Sequence, residues 1–146
     1  MHVLGKSADG DLMGFLREAV ASQPFAVRAV SPGQTFIVGN ETLSHAAAQA
    51  LARKIAARAD VIDQSHGRVR MVLQGHRAER ALAKGTAVDL AIRAFPVGQS
   101  AMTLLGHIGA HITRIGDDCF EIIVLRGFAE SLWGDLDQMS REFELN

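Results

Sequence analysis

The apolar positions along this chain change period several times, and each change predicts an element. Leu12, Phe15, Leu16, Ala19 and Val20 fall at i, i+3, i+4, i+7 and i+8, one face of a helix. Asp11 stands where a capping side chain belongs, and Pro24 requires the helix to stop near Ser22. Residues 25–30 and 35–38 are β-rich runs on either side of Ser31-Pro32-Gly33-Gln34, with Pro and Gly at the central positions of a type II turn. That pattern predicts a hairpin. Thr42 or Ser44 then opens an alanine-rich helix to about Ala59, with Leu43, Ala47, Leu51 and Ile55 four residues apart on a narrow stripe.

Residues 61–64 form a short apolar entry strand, and 67–73 alternate, Val69, Met71 and Leu73 inward, Arg68 and Arg70 outward. Helical spacing returns over 76–84 through Ala78, Ala81 and Leu82, with Gly85 placed for a left-handed C-terminal residue. Residues 87–95 carry two signals: Val88, Leu90, Ile92 and Ala94 alternate like a strand, while Asp89 and Arg93 are spaced as a helical ion pair. Pro96 favours an extended approach. Residues 100–106 and 110–114 read as strands bent at Gly106 and Gly109, and 120–125 return after the polar turn at 115–118, making a meander. A last helix over 127–141 places Phe128, Leu132, Leu136 and Met139 on one face, with Ala129 and Trp133 beside it. Trp133 buried there predicts a loss of about 3–5 kcal/mol on truncation to alanine. The expected fold is α+β, helices packed on a mostly antiparallel sheet, in one domain over 1–146. Its core is expected over 61–146, with a helix-hairpin-helix portion over 1–60.

Composition narrows the function. A chain of 146 residues suits one core burying about 68–70% of the unfolded surface. A formal charge of -1 and a pI near 6.6 provide no basic excess, which argues against nucleic acid as a partner. No apolar run reaches the roughly 18 residues of a membrane span, and Lys6, Asp9 and Asp11 leave no room for a signal-peptide core. A mean hydropathy of +0.12 is high for a small monomer, so surplus apolar surface is expected to face another protein. Cys119, without a second cysteine, forms no internal disulfide and suits the cytoplasm.

Catalytic and binding chemistry finds little support. Dinucleotide binding needs Gly-x-Gly-x-x-Gly after a strand, and Gly106 and Gly109, three apart among strands, read as bend residues instead. His107 and His111, followed by Asp117, Asp118 and Cys119, can be drawn as a zinc site, but strand-like surroundings do not place the two imidazoles as helical spacing would. Asp117 and Asp118 are turn residues. Asp63, Ser65 and His66 lack a nucleophile elbow and read as a hydrogen-bonding strand start. Cys119, beside Phe120, reads as buried rather than reactive. Arg68, Arg70, Arg77 and Arg80 are the densest basic group, offset by Asp63 and Glu79; a solvated face or protein contact is favoured over an anionic ligand such as a folate tail. No residue is assigned a catalytic, cofactor-binding or metal-ligating role.

Several short motifs occur in a fixed order: Ala81-Leu82-Ala83-Lys84-Gly85, Asp89-Leu90, Phe95-Pro96-Val97-Gly98, Thr103 with Leu105-Gly106, Arg114 with Gly116-Asp117 and Phe120, and Arg126-x-Phe128-Ala129-Glu130-Ser131-Leu132-Trp133. In this order they resemble the gamma subunit of heterotetrameric sarcosine oxidase, with Gly127 where such chains more often have Ser. Asp63-x-Ser65-His66 before a strand and Gly75 before a helix resemble the related aminomethyltransferase (T-protein) fold. The resemblance implies a small, non-catalytic, cytoplasmic subunit of a flavoenzyme that oxidatively demethylates sarcosine to glycine, giving formaldehyde or methylenetetrahydrofolate, and hydrogen peroxide. FAD, FMN, NAD, tetrahydrofolate and zinc would sit on the partner alpha, beta and delta subunits, none on this chain. Folate binding is not carried over, since no matched residue identifies a pterin pocket. Two alternatives stand beside it: the corresponding subunit of an N-methylglutamate or other N-methyl-amino-acid dehydrogenase, and a stand-alone folate- or small-molecule-binding module. The partner surface is expected on the stripe from Leu43 to Ile55 and the hairpin over 25–38.

Overall fold

The computed structural model of the chain describes residues 1–6, 11–41 and 43–144. It divides into two compact units, Met1–Ser65 and His66–Asn146. Each has its own four-stranded antiparallel sheet and its own apolar cluster, so two cores replace the one expected from chain length.

In the first unit the order is β1 (His2–Gly5), α1 (Leu12–Val20), β2 (Phe25–Ser31), β3 (Gln34–Gly39), α2 (His45–Ile55) and β4 (Ala59–Ile62), with strand order β2-β3-β1-β4. Asp11 caps α1 as its position suggests, Oδ1 accepting from the Gly14 amide at 2.8 Å. The β2–β3 hairpin turns at Pro32-Gly33, where Gly33 takes φ 72, a conformation that suits glycine. Ser44 caps α2, and Thr42, the other candidate, lies outside the described residues, as does Asp9.

Two expectations change here. The helix α2 stops at Ile55 rather than Ala59, because Ala59 begins β4, and β4 pairs with β1 instead of entering the second sheet. The stripe on α2 is also internal: Leu51 and Ile55 are buried with Val3, Leu16 and Val20, and Leu43 packs against them. A stripe spent on its own core is not a partner surface. Among the described residues, eight of the nine large apolar side chains left exposed belong instead to the second unit, including Val72, Met102, Leu104, Phe128 and Trp133.

The second unit comprises β5 (Arg68–Gln74), α3 (Ala78–Ala83), β6 (Ser100–Leu105), β7 (Ile108–Gly116), β8 (Cys119–Leu125), a 3-10 turn at Arg126–Phe128 and α4 (Ala129–Glu144). The strands lie in the order β5-β8-β7-β6, so the expected meander is present with β5 added at its edge. The period-two pattern becomes a row across the sheet, Met71 opposite Ile122, Ile122 opposite Ile112, and Ile112 opposite Ala101. Together with Leu82 of α3 and Leu132 and Leu136 of α4, these residues make the core. A two-residue turn, Gly106-His107, joins β6 to β7, with Gly106 at φ 59.

Three local readings are corrected. Residues 87–95 form neither helix nor strand but a loop of turns, in which Asp89 Oδ1 accepts from the Ala91 amide at 3.0 Å and Ala91 O accepts from the Ala94 and Phe95 amides at 2.8 Å. Gly85 is not left-handed; a Cβ there would lie 2.7 Å from Met139 Cε, so the residue is small because α4 passes close. Trp133 is 64% exposed and Phe128 is 52% exposed, because the inward side of α4 is set by Leu132 and Leu136. We expect Leu132→Ala to lower stability by about 2–5 kcal/mol. Trp133→Ala should change it by less than about 1 kcal/mol. Chemical denaturation of the two variants checks the contrast, and equal losses would contradict this packing.

Candidate functional site

The largest fully buried side chain is Arg114, on β7 at the same parity as Ala110 and Ile112, so its guanidinium points into the core. Charge in an apolar interior is costly unless paired and hydrogen-bonded. The chain meets that need from several elements. Arg114 Nε donates to Phe95 O at 2.7 Å, Nη1 donates to Asp117 O, and Nη2 donates to Leu90 O and to Glu79 Oε2, the last at 2.8 Å. The guanidinium carbon lies 4.4 Å from the centroid of the Phe120 ring. The Arg114 backbone joins in, accepting from the Gly98 amide at 2.8 Å and donating to Gln99 O at 3.1 Å. One side chain thus ties α3, the loop over 87–95, the Phe95-Pro96-Val97-Gly98 segment and the β7–β8 turn together. A second pair sits on β8 and β5: fully buried Glu121 accepts from Arg70 Nε at 2.5 Å.

The candidate residues from the sequence do not converge. His107 is exposed in the β6–β7 turn while His111 is fully buried in β7, and the described residues contain no cluster of three or more His, Cys, Asp or Glu able to hold a metal. Asp63 Oδ1 accepts from the Ser65 amide at 2.9 Å and from Ser65 Oγ at 2.6 Å, a local turn contact. Cys119 starts β8 and is partly buried rather than buried. Asp117 acts through its backbone carbonyl at Arg114. The four arginines take separate roles. Arg70 holds Glu121, Arg80 stacks 5.4 Å from the Phe143 ring centroid, and burial lowers the pKa of Arg68 from its ordinary value. Arg77 precedes α3 and lines a cleft, while Glu79, expected to offset these charges, pairs with Arg114.

That cleft has a volume of about 340 Å³. One wall is β5 from Met71 to Gln74 with the turn at Gly75, His76 and Arg77, and the other is α4, where Trp133, Leu136, Asp137 and Phe143 face it. Asp137 is engaged by Arg141, whose Nε and Nη2 donate to Oδ2 at 3.0 and 2.7 Å. No pattern along the chain announces this cleft, which needs the start of α3 and the outer side of α4 in one place. Arg114 did leave a signal, a charge at the inward parity of an apolar strand.

A model of the GCVT N-terminal domain family matches residues 22–146. The chain belongs to the GCVT N-terminal domain family. Among solved structures, a chain of the heterotetrameric sarcosine oxidase from Corynebacterium sp. U-96, in complex with pyrrole 2-carboxylate, is similar in fold, with a TM-score of 0.80 at 22% identity. The match covers 97% of this chain and 80% of that one. No curated protein sequence matches significantly. The α+β, aminomethyltransferase-like fold expected from the motifs is the one observed, with a GCVT-type domain built as two antiparallel sheets and helices.

Several polar side chains of the second unit are engaged within the chain: Thr113 Oγ1 lies 2.9 Å from Ser100 Oγ, Glu121 holds Arg70, Arg114 donates to three carbonyls and to Glu79, and Asp137 in the cleft holds Arg141. Of the motif residues, Leu90, Phe95, Asp117 and Phe120 surround the Arg114 guanidinium. We expect Arg114→Met to destabilise the second unit by about 3–5 kcal/mol, since it strands three carbonyls and a carboxylate. Arg114→Lys should not restore stability, because an ammonium lacks the planar fork. Glu79→Gln should cost less than about 1 kcal/mol, as Glu79 is 39% exposed. Trp133 fluorescence during denaturation reports all three, and a silent Arg114→Met would overturn the assignment.

Proposed function

We propose that this chain is the small, gamma-type subunit of a sarcosine-oxidase-type flavoenzyme complex and serves in its assembly rather than its chemistry. The observation that carries the reading is the near-complete two-way fold match, 97% of this chain and 80% of the other, to a chain of a heterotetrameric sarcosine oxidase. A match of that extent implies that the similar chain is only modestly longer, a small subunit in its own right. Supporting it, the buried Thr113, Arg114 and Glu121 are bonded to other side chains or to backbone of the second unit, and exposed apolar side chains concentrate in the same unit.

The complex would convert sarcosine, water and oxygen to glycine, formaldehyde and hydrogen peroxide, or deliver the one-carbon unit to tetrahydrofolate in place of water. FAD, FMN, NAD, tetrahydrofolate and zinc would be held by the alpha, beta and delta subunits. The alternative within the same class is the corresponding subunit of an N-methylglutamate or other N-methyl-amino-acid dehydrogenase. The cleft of about 340 Å³ favours a second reading, a small-molecule-binding module, because it lies within the roughly 300–1,000 Å³ typical of ligand sites.

Purification of the natively expressed chain tests the reading. The expected product contains large flavoprotein chains in fixed proportion, forms peroxide on addition of sarcosine, and yields a colourless small subunit when separated. A homogeneous chain that carries a bound small molecule and no flavoprotein partner would replace it with the second reading.

A further inference from the structure

We propose that the cleft beside β5 is a strand-addition site, where an extended segment of a partner chain pairs with the open edge of β5, sets an apolar side chain against Trp133 and brings a carboxylate to Arg77. The inference rests on the reading of the chain as an assembly subunit and names where and how it would be gripped.

β5 is an outer strand of its sheet and pairs with β8 on one side only. An antiparallel strand turns part of its N–H and C=O groups away from its partner, so the far edge offers a ready ladder for another strand. Among the described residues, Met71, Val72 and Leu73 make no backbone hydrogen bond outside the ladder with β8. The other outer strand, β6, is treated differently. The segment after α3 lies across it, with the Gly106 amide donating to Gly85 O at 2.8 Å just beyond its end and Thr86 Oγ1 2.9 Å from Thr103 Oγ1.

The shape of the cleft agrees. Met71, Val72, Leu73 and Gln74 all line it, yet successive side chains of a strand point to opposite faces. Four consecutive residues share one cleft only when it runs along the strand's edge. The far wall is α4, with Leu136 buried and the Trp133 ring standing open. A groove between an edge strand and a helix is a geometry for β-augmentation, with backbone bonds supplying affinity and side-chain pockets specificity.

Charge selects the segment. Of the titratable groups lining the cleft, Asp137 is neutralised by Arg141, which leaves His76 and Arg77. Arg77 makes no side-chain hydrogen bond or ion pair among the described residues. The complementary partner therefore carries an apolar residue followed or preceded by an acidic one. Trp and Arg are also the side chains most often found at the energetic centre of protein interfaces.

Amide hydrogen exchange tests the idea on this chain alone and in complex with the large subunits that co-purify with it. In the complex, exchange at 71–74 should slow by about tenfold or more, and Trp133→Ala and Arg77→Gln should each weaken association by about tenfold or more without moving the melting temperature of the free chain. If the wild-type complex forms but β5 amides exchange unchanged, or both variants assemble like wild type, the strand-addition site is overturned while the subunit reading stands. Weakened variants with unprotected β5 amides also overturn it, leaving a side-chain or small-molecule pocket. A wild-type chain that binds no flavoprotein subunit removes both.

Discussion

Burying a guanidinium imposes the constraint on which the second unit depends. Arg114 has only 1% of its surface exposed, and an unsatisfied charge at that depth would outweigh much of the free energy of folding. The surrounding chain is therefore shaped to deliver acceptors. Leu90 and Phe95 are carried on a loop free of regular structure, because a helix or strand would spend the very carbonyls that Arg114 needs. The ladder shifts register between Arg114 and Gly116, which lets Asp117 O turn back towards the guanidinium. Glu79 on α3 adds the countercharge and so fixes the helix against the sheet.

The local elements were legible because their causes are local. The cap and spacing of α1, the Pro32-Gly33 turn, the alternation of β5 and the meander over 100–125 each follow from a few adjacent residues. The elements that were missed depend on distant partners. Four-residue β1 has too short a run to show a period, and it becomes a strand because β3 and β4 flank it. Ala59 joined β4 for the same reason, and with it the first unit closed a core of its own. Residues 87–95 carry two competing periods, and the charge of Arg114, 24 residues beyond Leu90, decides against both. Helical spacing puts Trp133 beside the apolar face, but Leu132 and Leu136, four apart, determine the inward side of α4 and leave Trp133 outward.

Those distinctions bear on function. Among the motif residues, Leu90, Phe95, Asp117 and Phe120 surround one buried charge, that of Arg114. They hold the fold of the second unit, which lies within the 22–146 stretch that matches the GCVT N-terminal domain family. What remains for interaction is surface: the open edge of β5, the exposed aromatic ring on α4 and the arginine before α3. The interior polar groups Thr113, Arg114 and Glu121 hold the second unit's own architecture together, and the exposed apolar side chains gather in that same unit.

The most direct measurement compares sarcosine turnover per intact flavin in the proposed complex with and without this chain, together with the thermal stability of its large subunits. The account predicts that omission lowers the melting temperature and the yield of assembled enzyme while kcat per retained flavin stays within about twofold. Loss of turnover with flavin fully retained and the large subunits still folded would contradict it, because the chain would then supply chemistry and not only assembly.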